Sequence, residues 1–375
     1  MTALPRRSRR FLTTAAALAA GALTLSACSG TASGTDSAAA SATSLADFGT
    51  FADLEAAAKA EGALNVIALP RDWANYGEII DLFKERYPEI TVNEQSPDVS
   101  SAEEIQAADT NKGLDTAPDV FDLGLAVALA NVDSFAPYKV QTWDDIPSAL
   151  KDSEGRFVGD YGGYMSIGYD SSKFPEPTSL DDLLSSDYAG AVAINGDPTQ
   201  AGAAFAAVDL ATIQSGGTLD DFTPGIDFFA QLNAAGNLLK VDVTTATVAS
   251  GETPVVFDWD YLNAAHQADN SDWEAVVFAD KGYASNYNQA INADAPHPAA
   301  ARLWEEFLYS DEVQNLWLKG GARPVRMEAM TTAGTIDSAL ASALPAAPAE
   351  VLVPTQEQSD AAAILLGETW ATAVG

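Results

Sequence analysis

Residues 251–265, GETPVVFDWDYLNAA, place an apolar run directly before alternating acids and aromatic rings, followed by residues that favour a helix. The run at 254–257 predicts a buried strand, because short apolar runs are typical of strands covered on both faces. A strand that leads straight into a helix puts its last residues at the carboxyl edge of an α/β sheet, where ligands bind. We therefore expect residues 258–261 to face a ligand.

These four residues carry two carboxylates, Asp258 and Asp260, and two rings, Trp259 and Tyr261. Aromatic faces attract cations and cover methylene chains, and carboxylates pair with ammonium groups. The segment therefore predicts a site for a small organic cation. The alternative is that the rings pack in the core while the aspartates cap the following helix.

Strand and helix patterns alternate along the rest of the chain, which indicates an α/β fold. Residues 64–69 predict a strand, and apolar side chains recur from Tyr76 to Tyr87 with the spacing of a helix that has one buried face. Asn75, with Glu78 three residues later, predicts a capping box at the start of that helix.

The loop between this strand and helix carries Arg71, Asp72 and Trp73. Because it follows the carboxyl end of a strand, we expect these side chains and Tyr76 to line the ligand site. Arg71 leaves two interpretations open. Its guanidinium binds a carboxylate or phosphate of the ligand, or it pairs with Asp72 or another acid at the rim.

Two extended Tyr-rich stretches, 156–169 and 283–290, predict crossovers between two lobes that enclose a cleft. Tyr164 and Tyr287 lie in these stretches, where they either line the cleft or pack at a hinge. Asp197 follows a later predicted strand, and it either faces the ligand or caps the next helix.

The amino terminus resembles a bacterial lipoprotein signal. Basic residues at 6–10 precede an apolar run at 11–25 that is short for a membrane span, and the run ends in LSAC at 25–28, which resembles a lipobox. This resemblance implies cleavage before Cys28, lipidation of its thiol and anchoring at the outer face of the cell membrane. An ordinary secretory signal is the alternative, and both Sec and twin-arginine export stay open.

The composition argues against several classes of function. Lys and Arg total 19 whereas Asp and Glu total 53, a net charge of −34, and nucleic-acid binding needs a basic face. A single cysteine and two histidines are too few for a disulfide within the chain or a Cys/His metal centre, so we expect no metal and no cofactor. The 375 residues, 47% of them hydrophobic, suffice for two soluble domains.

Several motifs resemble those of the extracellular solute-binding proteins of ABC importers, in their spermidine/putrescine-binding-like branch. The matching stretches are ALPRDWANYGE (68–78), APDV (117–120), GETP and DWDY (251–254 and 258–261), APHPAA (295–300) and FLYS (307–310). This resemblance implies the type II periplasmic-binding-protein fold. It also implies a monomeric, non-catalytic clamp that hands a small solute to a membrane permease.

The resemblance leaves the ligand open. A polyamine-like cation is our expectation. Ferric iron is an alternative, although the adjacent tyrosines of iron-binding relatives are missing, since Tyr283 and Tyr287 are separated by three residues. Another alternative is an anionic or zwitterionic solute, such as an amino-acid derivative or a phosphonate. A secreted hydrolase that uses Asp258 and Asp260 as its carboxylate pair, and a structural lipoprotein, are more distant alternatives.

The predicted organisation follows from these observations. Ser, Ala, Thr and Gly bury too little apolar surface to offset the entropy of ordering, so the segment after Cys28 is expected to be a flexible tether. The predicted parts are a signal peptide (1–27), the lipidated cysteine and tether (28–47), lobe one (48–165 and 281–330), lobe two (166–280) and a C-terminal helical extension (331–375).

Overall fold

The chain folds as a mixed α/β protein, as the alternation of strand and helix patterns predicts. The computed structural model describes residues 38–375; the predicted signal peptide, Cys28 and residues 29–37 of the predicted tether lie outside the described residues. Within residues 38–375, no helix is both long enough and apolar enough to cross a bilayer.

A mixed sheet organises the molecule. The strands are β1 (Ala63–Ile67), β2 (Thr91–Gln95), β3 (Val120–Gly124), β4 (Phe135–Ala136), β5 (Val158–Asp170), β6 (Val192–Ile194), β7 (Val255–Trp259), β8 (Trp273–Val276), β9 (Lys281–Asn292), β10 (Arg323–Pro324) and β11 (Glu350–Leu352). The order is β2-β1-β3-β9-β5-β7-β6, with β4 and β11 added to β9, and β8 and β10 added to β5. Parallel strands at each end are therefore joined by the long antiparallel pair β5 and β9, which gives the predicted two-lobed fold.

Helices cover the faces of this sheet. The α-helices are α1 (Phe51–Glu61), α2 (Tyr76–Arg86), α3 (Ser101–Asn111), α4 (Leu125–Ala130), α5 (Gly202–Gln214), α6 (Thr223–Ala234), α7 (Thr245–Ser250), α8 (Asp260–Ala265), α9 (Pro298–Leu308), α10 (Asp311–Lys319), α11 (Met327–Ala333), α12 (Ser338–Ala343) and α13 (Gln356–Val374). The buried face of α2 is the one that the apolar spacing predicts. The predicted capping box is wrong, because Asn75 takes a left-handed φ of 67° and its amide donates to the Leu316 carbonyl.

Strand β5 changes partners along its length. Its first half pairs with β9 as far as Tyr164, and from Met165 onward it pairs with β7 and β8. A side chain at Gly163 would overlap the Asp260 carboxylate, so the close approach of β5 to α8 requires glycine here. Both predicted crossover stretches are thus real strands that link the two halves of the sheet.

The end of the predicted tether is ordered, which corrects the expectation for residues 38–47. Ala39 and Ala42 are buried. The Arg302 guanidinium donates to the carbonyls of Ala40 and Ala42, at 3.0 and 2.8 Å. A buried guanidinium must find acceptors, and this backbone supplies them.

The C-terminal segment is more than a helical extension. Strand β11 pairs in parallel with the start of β9, from Lys281 to Tyr283. Farther on, Trp370 of α13 packs against Phe229 of α6 with ring centroids 5.5 Å apart.

Candidate functional site

Four aromatic rings meet where the two halves of the sheet join. They come from the loop after β1, from the middle of β5, from the start of α8 and from β9, and we call them the aromatic cage: Trp73, Tyr161, Tyr261 and Tyr287. Trp73 lies edge-on to Tyr261 and Tyr287, at centroid distances of 6.3 and 5.8 Å. Tyr161 lies 5.7 Å from Tyr261 and stacks on Tyr287 at 5.6 Å. The cage therefore closes on itself, with each ring touching two others.

Two irregularities of the backbone orient Trp73 and Tyr161. The loop that carries Trp73 contains three non-glycine residues with positive φ, Ala68 (57°), Ala74 (45°) and Asn75 (67°). Such strain is concentrated at ligand clamps and functional loops. In β5, the register shifts between Gly159 and Gly162, so Asp160 and Tyr161 together oppose the single residue Tyr287. This β-bulge turns Tyr161 into the cage.

Asp258 lies near the carboxyl end of β7, which runs to Trp259, and its carboxylate already has partners within the protein. It accepts hydrogen bonds from the Asn195 side-chain amide at 2.9 Å and from the Trp259 backbone N–H at 2.8 Å. Burial raises the pKa of Asp258 to about 7, although both hydrogen bonds oppose the shift. Near neutral pH, the protonation of Asp258 therefore depends on which charged groups lie beside it.

Asp260 is held by a basic residue that the sequence did not point to. Arg323 of β10 forms an ion pair with its carboxylate, which also accepts the backbone N–H groups of Tyr164 and Tyr261 at 3.0 and 3.1 Å. The guanidinium lies 4.2 Å from the centre of the Tyr164 ring. Asp260 therefore joins β5, α8 and β10, and no local motif marks Arg323 as its partner.

Trp259 lies behind the cage. Its ring stacks on Tyr261 at 6.4 Å and on Tyr283 at 6.1 Å, and it is buried. The ring therefore supports Tyr261 from the side of the second crossover strand.

The remaining predicted residues take several roles. Arg71 donates to Asp81 and Glu94 at 2.7 and 3.1 Å, which agrees with the interpretation of a rim ion pair, although with acids other than Asp72. Asp72 lies 3.4 Å from the hydroxyl of Thr245 on α7. This exposed contact joins the first loop to α7.

Asp197 caps its own turn. It is exposed, and its carboxylate accepts the Thr199 backbone N–H at 2.8 Å and the Thr199 hydroxyl at 2.7 Å. The predicted helix cap is wrong, because α5 begins at Gly202, its N-cap position is Ala201, and no side chain among the described residues caps it.

A buried pair of carboxyl groups behind the cage was not predicted. The Tyr76 hydroxyl lies 3.0 Å from Asp122 Oδ2 and 3.3 Å from Asp160 Oδ2, and Gln289 donates to Asp160 at 2.9 Å. Burial raises the pKa of both acids, that of Asp160 to about 7. Tyr76 is therefore a core residue that joins the two acids rather than a cleft side chain. The available signal was weak: Asp122 lies near the carboxyl end of β3, a position like that of Asp258 in β7.

The structure offers no obvious metal centre in the part of the chain that it describes. Among residues 38–375, no group of three or more His, Cys, Asp or Glu side chains could hold a metal ion.

Comparison with known families now places the chain. The family of bacterial extracellular solute-binding proteins matches residues 118–347, more than half of the sequence. The chain belongs to this family. A search of curated protein sequences finds no match to this chain. Solute-binding proteins of this family lie outside the cytoplasm, bind small ligands and work with the permeases of ABC transporters; they are not enzymes.

Solved structures of solute-binding proteins share the fold. An ABC transporter substrate-binding protein from Bradyrhizobium japonicum USDA 110 matches at 15% identity and a TM-score of 0.65, over 84% of this chain and 100% of that one. An ABC transporter protein of Listeria monocytogenes assigned to spermidine and putrescine matches at 13% identity and 0.63, over 82% and 99%. A ferric binding protein from Campylobacter jejuni matches at 14% and 0.61, over 83% and 99%. At such identities the likeness establishes the two-lobed fold, and the relatives' ligands differ.

Proposed function

We propose that this substrate-binding protein captures a small organic cation, polyamine-like, between its lobes and delivers it to an ABC permease. The observation that carries the proposal is the aromatic cage, in which rings from both halves of the molecule converge. Ring faces attract ammonium groups and cover methylene chains. Each cation–ring contact contributes about 2 kcal/mol or more to the binding free energy when water is excluded.

Carboxyl groups lie near the cage, and the basic residue beside it, Arg323, is paired with Asp260. After burial, the largest causes that raise the pKa of Tyr287 are the nearby carboxyls of Asp122 and Asp258. Arg71 points to Asp81 and Glu94, outside the cage. This charge distribution favours a cation over an anionic or zwitterionic solute.

The proposal assigns different roles to the predicted residues. Trp73, Tyr261 and Tyr287 cover the carbon chain of the ligand, and Asp258 pairs with a nitrogen. Asp260 orients Tyr261 through its backbone and is itself neutralised by Arg323, so it does not bind the ligand directly.

The proposal also covers the division of the chain into lobes and its attachment to the membrane. The lobes comprise residues 48–165 with 281–330, and 166–280. Cys28 carries the lipid that anchors the mature protein to the outer face of the cell membrane.

Thermal-shift and calorimetric titrations of the mature protein with spermidine, putrescine, γ-aminobutyrate, 2-aminoethylphosphonate and ferric citrate test the ligand class. A ligand at about a hundredfold excess over its Kd adds about 2.7 kcal/mol to the free energy of unfolding. We expect stabilisation by spermidine or putrescine. We also expect Trp73→Ala to weaken that binding by about tenfold or more, because it removes a ring from the cage.

Arg71→Ala is the matched control, since it changes a residue of the same loop that faces away from the cage. It is expected to leave the affinity unchanged. Stabilisation by the phosphonate alone, lost in Arg71→Ala and kept in Trp73→Ala, would show that the ligand is anionic.

A further inference from the structure

The buried acids behind the aromatic cage form a connected pair. Asp122 and Asp160 are 4% and 0% exposed. The Tyr76 hydroxyl contacts both of them, at 3.0 and 3.3 Å. Two carboxylates linked through one hydroxyl in a dry interior repel each other too strongly for both to be charged, so the pair must hold a proton unless a cation compensates it.

No cation of the described chain compensates the pair. Neither acid takes part in any of the ion pairs found within residues 38–375. Asp122 Oδ1 is buried and has no hydrogen-bond partner among those residues. Titratable and charged groups face the pair from every element that packs on it. They are Tyr76 of α2, Glu104 of α3, Tyr161 of β5, Tyr261 of α8, Tyr287 of β9, Glu305 of α9 and Tyr309 directly after α9. Arg302 of α9 lies beyond Glu305.

One shared side chain connects this pair to the cage. The Tyr161 hydroxyl lies 3.2 Å from Asp122 Oδ2, while its ring stacks on Tyr287 and meets Tyr261. In the β3–β9 register, Asp122 faces Gln289 and Gly124 faces Tyr287, so Asp122 and Tyr287 lie on strands that are directly paired. A positive charge held in the cage is therefore separated from Asp122 by little more than one ring, and because Tyr161 and Asp122 are buried, the interaction is weakly screened.

We propose that a cationic ligand bound in the aromatic cage takes the place of one proton on the Asp122–Asp160 pair. The proton passes to water, and the carboxylate that it leaves behind is stabilised by the charge of the ligand and by the Tyr76 and Tyr161 hydroxyls. This inference rests on the proposed binding of an amine and adds its regulation: capture of the ligand is coupled to release of a proton.

The sign of the pH dependence follows from this exchange. Because burial raises the pKa of Asp160 to about 7, the empty protein holds the proton below that pH. An alkylammonium ligand stays charged throughout this range, as its pKa is near 10. Below about pH 7, the pair therefore lowers the affinity by up to about tenfold for each unit of acidification, and protonation of Asp258 lowers it further in the same range.

Calorimetric titration of the full mature protein with spermidine tests the coupling. Titrations in two buffers with different enthalpies of ionisation, repeated between about pH 5 and pH 8, count the protons released for each ligand bound. We expect close to one proton from the pair below pH 7 in the wild-type protein, in addition to the release from Asp258, whose pKa burial also raises to about 7 and which pairs with the ligand. In Asp160→Asn the pair has one ionisable group fewer, so we expect the number of protons released for each ligand bound to fall by close to one.

Asp119→Asn is the matched control. Asp119 is a buried acid directly before β3, the strand that carries Asp122, but it pairs with His297 at 2.9 Å, away from the cage. This variant is expected to release the proton as the wild-type protein does.

Two results would overturn the coupling while leaving the amine ligand in place: wild-type binding of spermidine with no proton released, or unchanged release in Asp160→Asn. If spermidine and putrescine fail to bind at every pH, the proposed function fails and the coupling fails with it. If Asp160→Asn does not fold, Asp258→Asn decides the question, because release that persists when Asp258 cannot titrate comes from the pair.

Discussion

Asp260 is the residue at which the two halves of the molecule are tied together. Its carboxylate receives the Arg323 guanidinium from β10 and two backbone N–H groups, one from β5 and one from α8. Burial raises the pKa of Asp260 even though Arg323 opposes the shift, so the acid depends on its partner to stay charged. Arg323 also donates to the Pro345 carbonyl, which extends the tie to the C-terminal segment.

Arg323→Met is expected to lower the free energy of unfolding by about 3–5 kcal/mol, because it leaves a carboxyl buried without its cation. The double variant Arg323→Met with Asp260→Asn should recover part of this loss, since the unpaired charge is then gone. Urea denaturation followed by circular dichroism measures both.

The matched control is Arg71→Met, which breaks the exposed ion pairs with Asp81 and Glu94. Exposed pairs contribute about 0–1 kcal/mol, so this variant should change little. A double variant as unstable as Arg323→Met alone would mean that packing, and not charge, makes Arg323 important.

Helix α13 shows how an element at the end of the chain joins the core. Trp370, Leu366 and Ala362 are buried on one side of the helix, and Trp370 reaches Phe229, which in turn meets Phe257 of β7 at 5.4 Å. The opposite side is exposed. The helix thus covers the lobe that carries the predicted ligand strand, and it belongs to the folded unit.

Trp370→Ala is expected to destabilise the protein by about 3–5 kcal/mol, the usual cost of removing a large aromatic ring from a core. Ile364→Ala, on the same helix but 65% exposed, provides the control and should change stability by less than about 0.5 kcal/mol. Guanidinium denaturation compares the two. Equal effects would show that α13 unfolds separately from the lobe beneath it.

At the scale of the whole molecule, the two lobes are in contact at both the rim and the floor of the cleft. Asp72 meets Thr245 at the rim, and the rings of Trp73 and Tyr261 touch deeper in the cleft. A ligand that enters the cage must therefore separate these contacts first. The permease that receives the ligand is in the membrane, so a solute-binding protein held at that surface avoids diffusing away.

Cys28→Ser is expected to release the protein from cells or leave it unprocessed, because it removes the thiol that we propose carries two acyl chains. Two chains suffice for stable anchoring, whereas one gives only reversible binding. Detergent phase separation checks the result, with Ser29→Ala as the adjacent control that keeps the lipid. Continued partitioning of Cys28→Ser into the detergent phase would contradict the lipid anchor.

Local patterns determined the elements and the fold class. The apolar run at 254–257 and the residues after it became β7 and α8, and the buried face of α2 lies where its spacing predicts. Strands and helices depend on periodicity and on capping over a few residues, so such patterns are visible in the sequence. The alternation of these elements, and the two extended crossover stretches, were enough to predict two lobes with a cleft between them.

Tertiary structure alone decided which of the candidate polar groups have partners. Arg323 reaches Asp260 across 63 residues, Asp122 and Asp160 meet through Tyr76, and Arg302 orders the backbone around Ala40, 262 residues before it. Each of these contacts depends on which strands pair and on how helices lie over them, and no short pattern records that arrangement. A buried charge takes whatever partner the fold brings near, because the cost of leaving it unpaired exceeds any local preference.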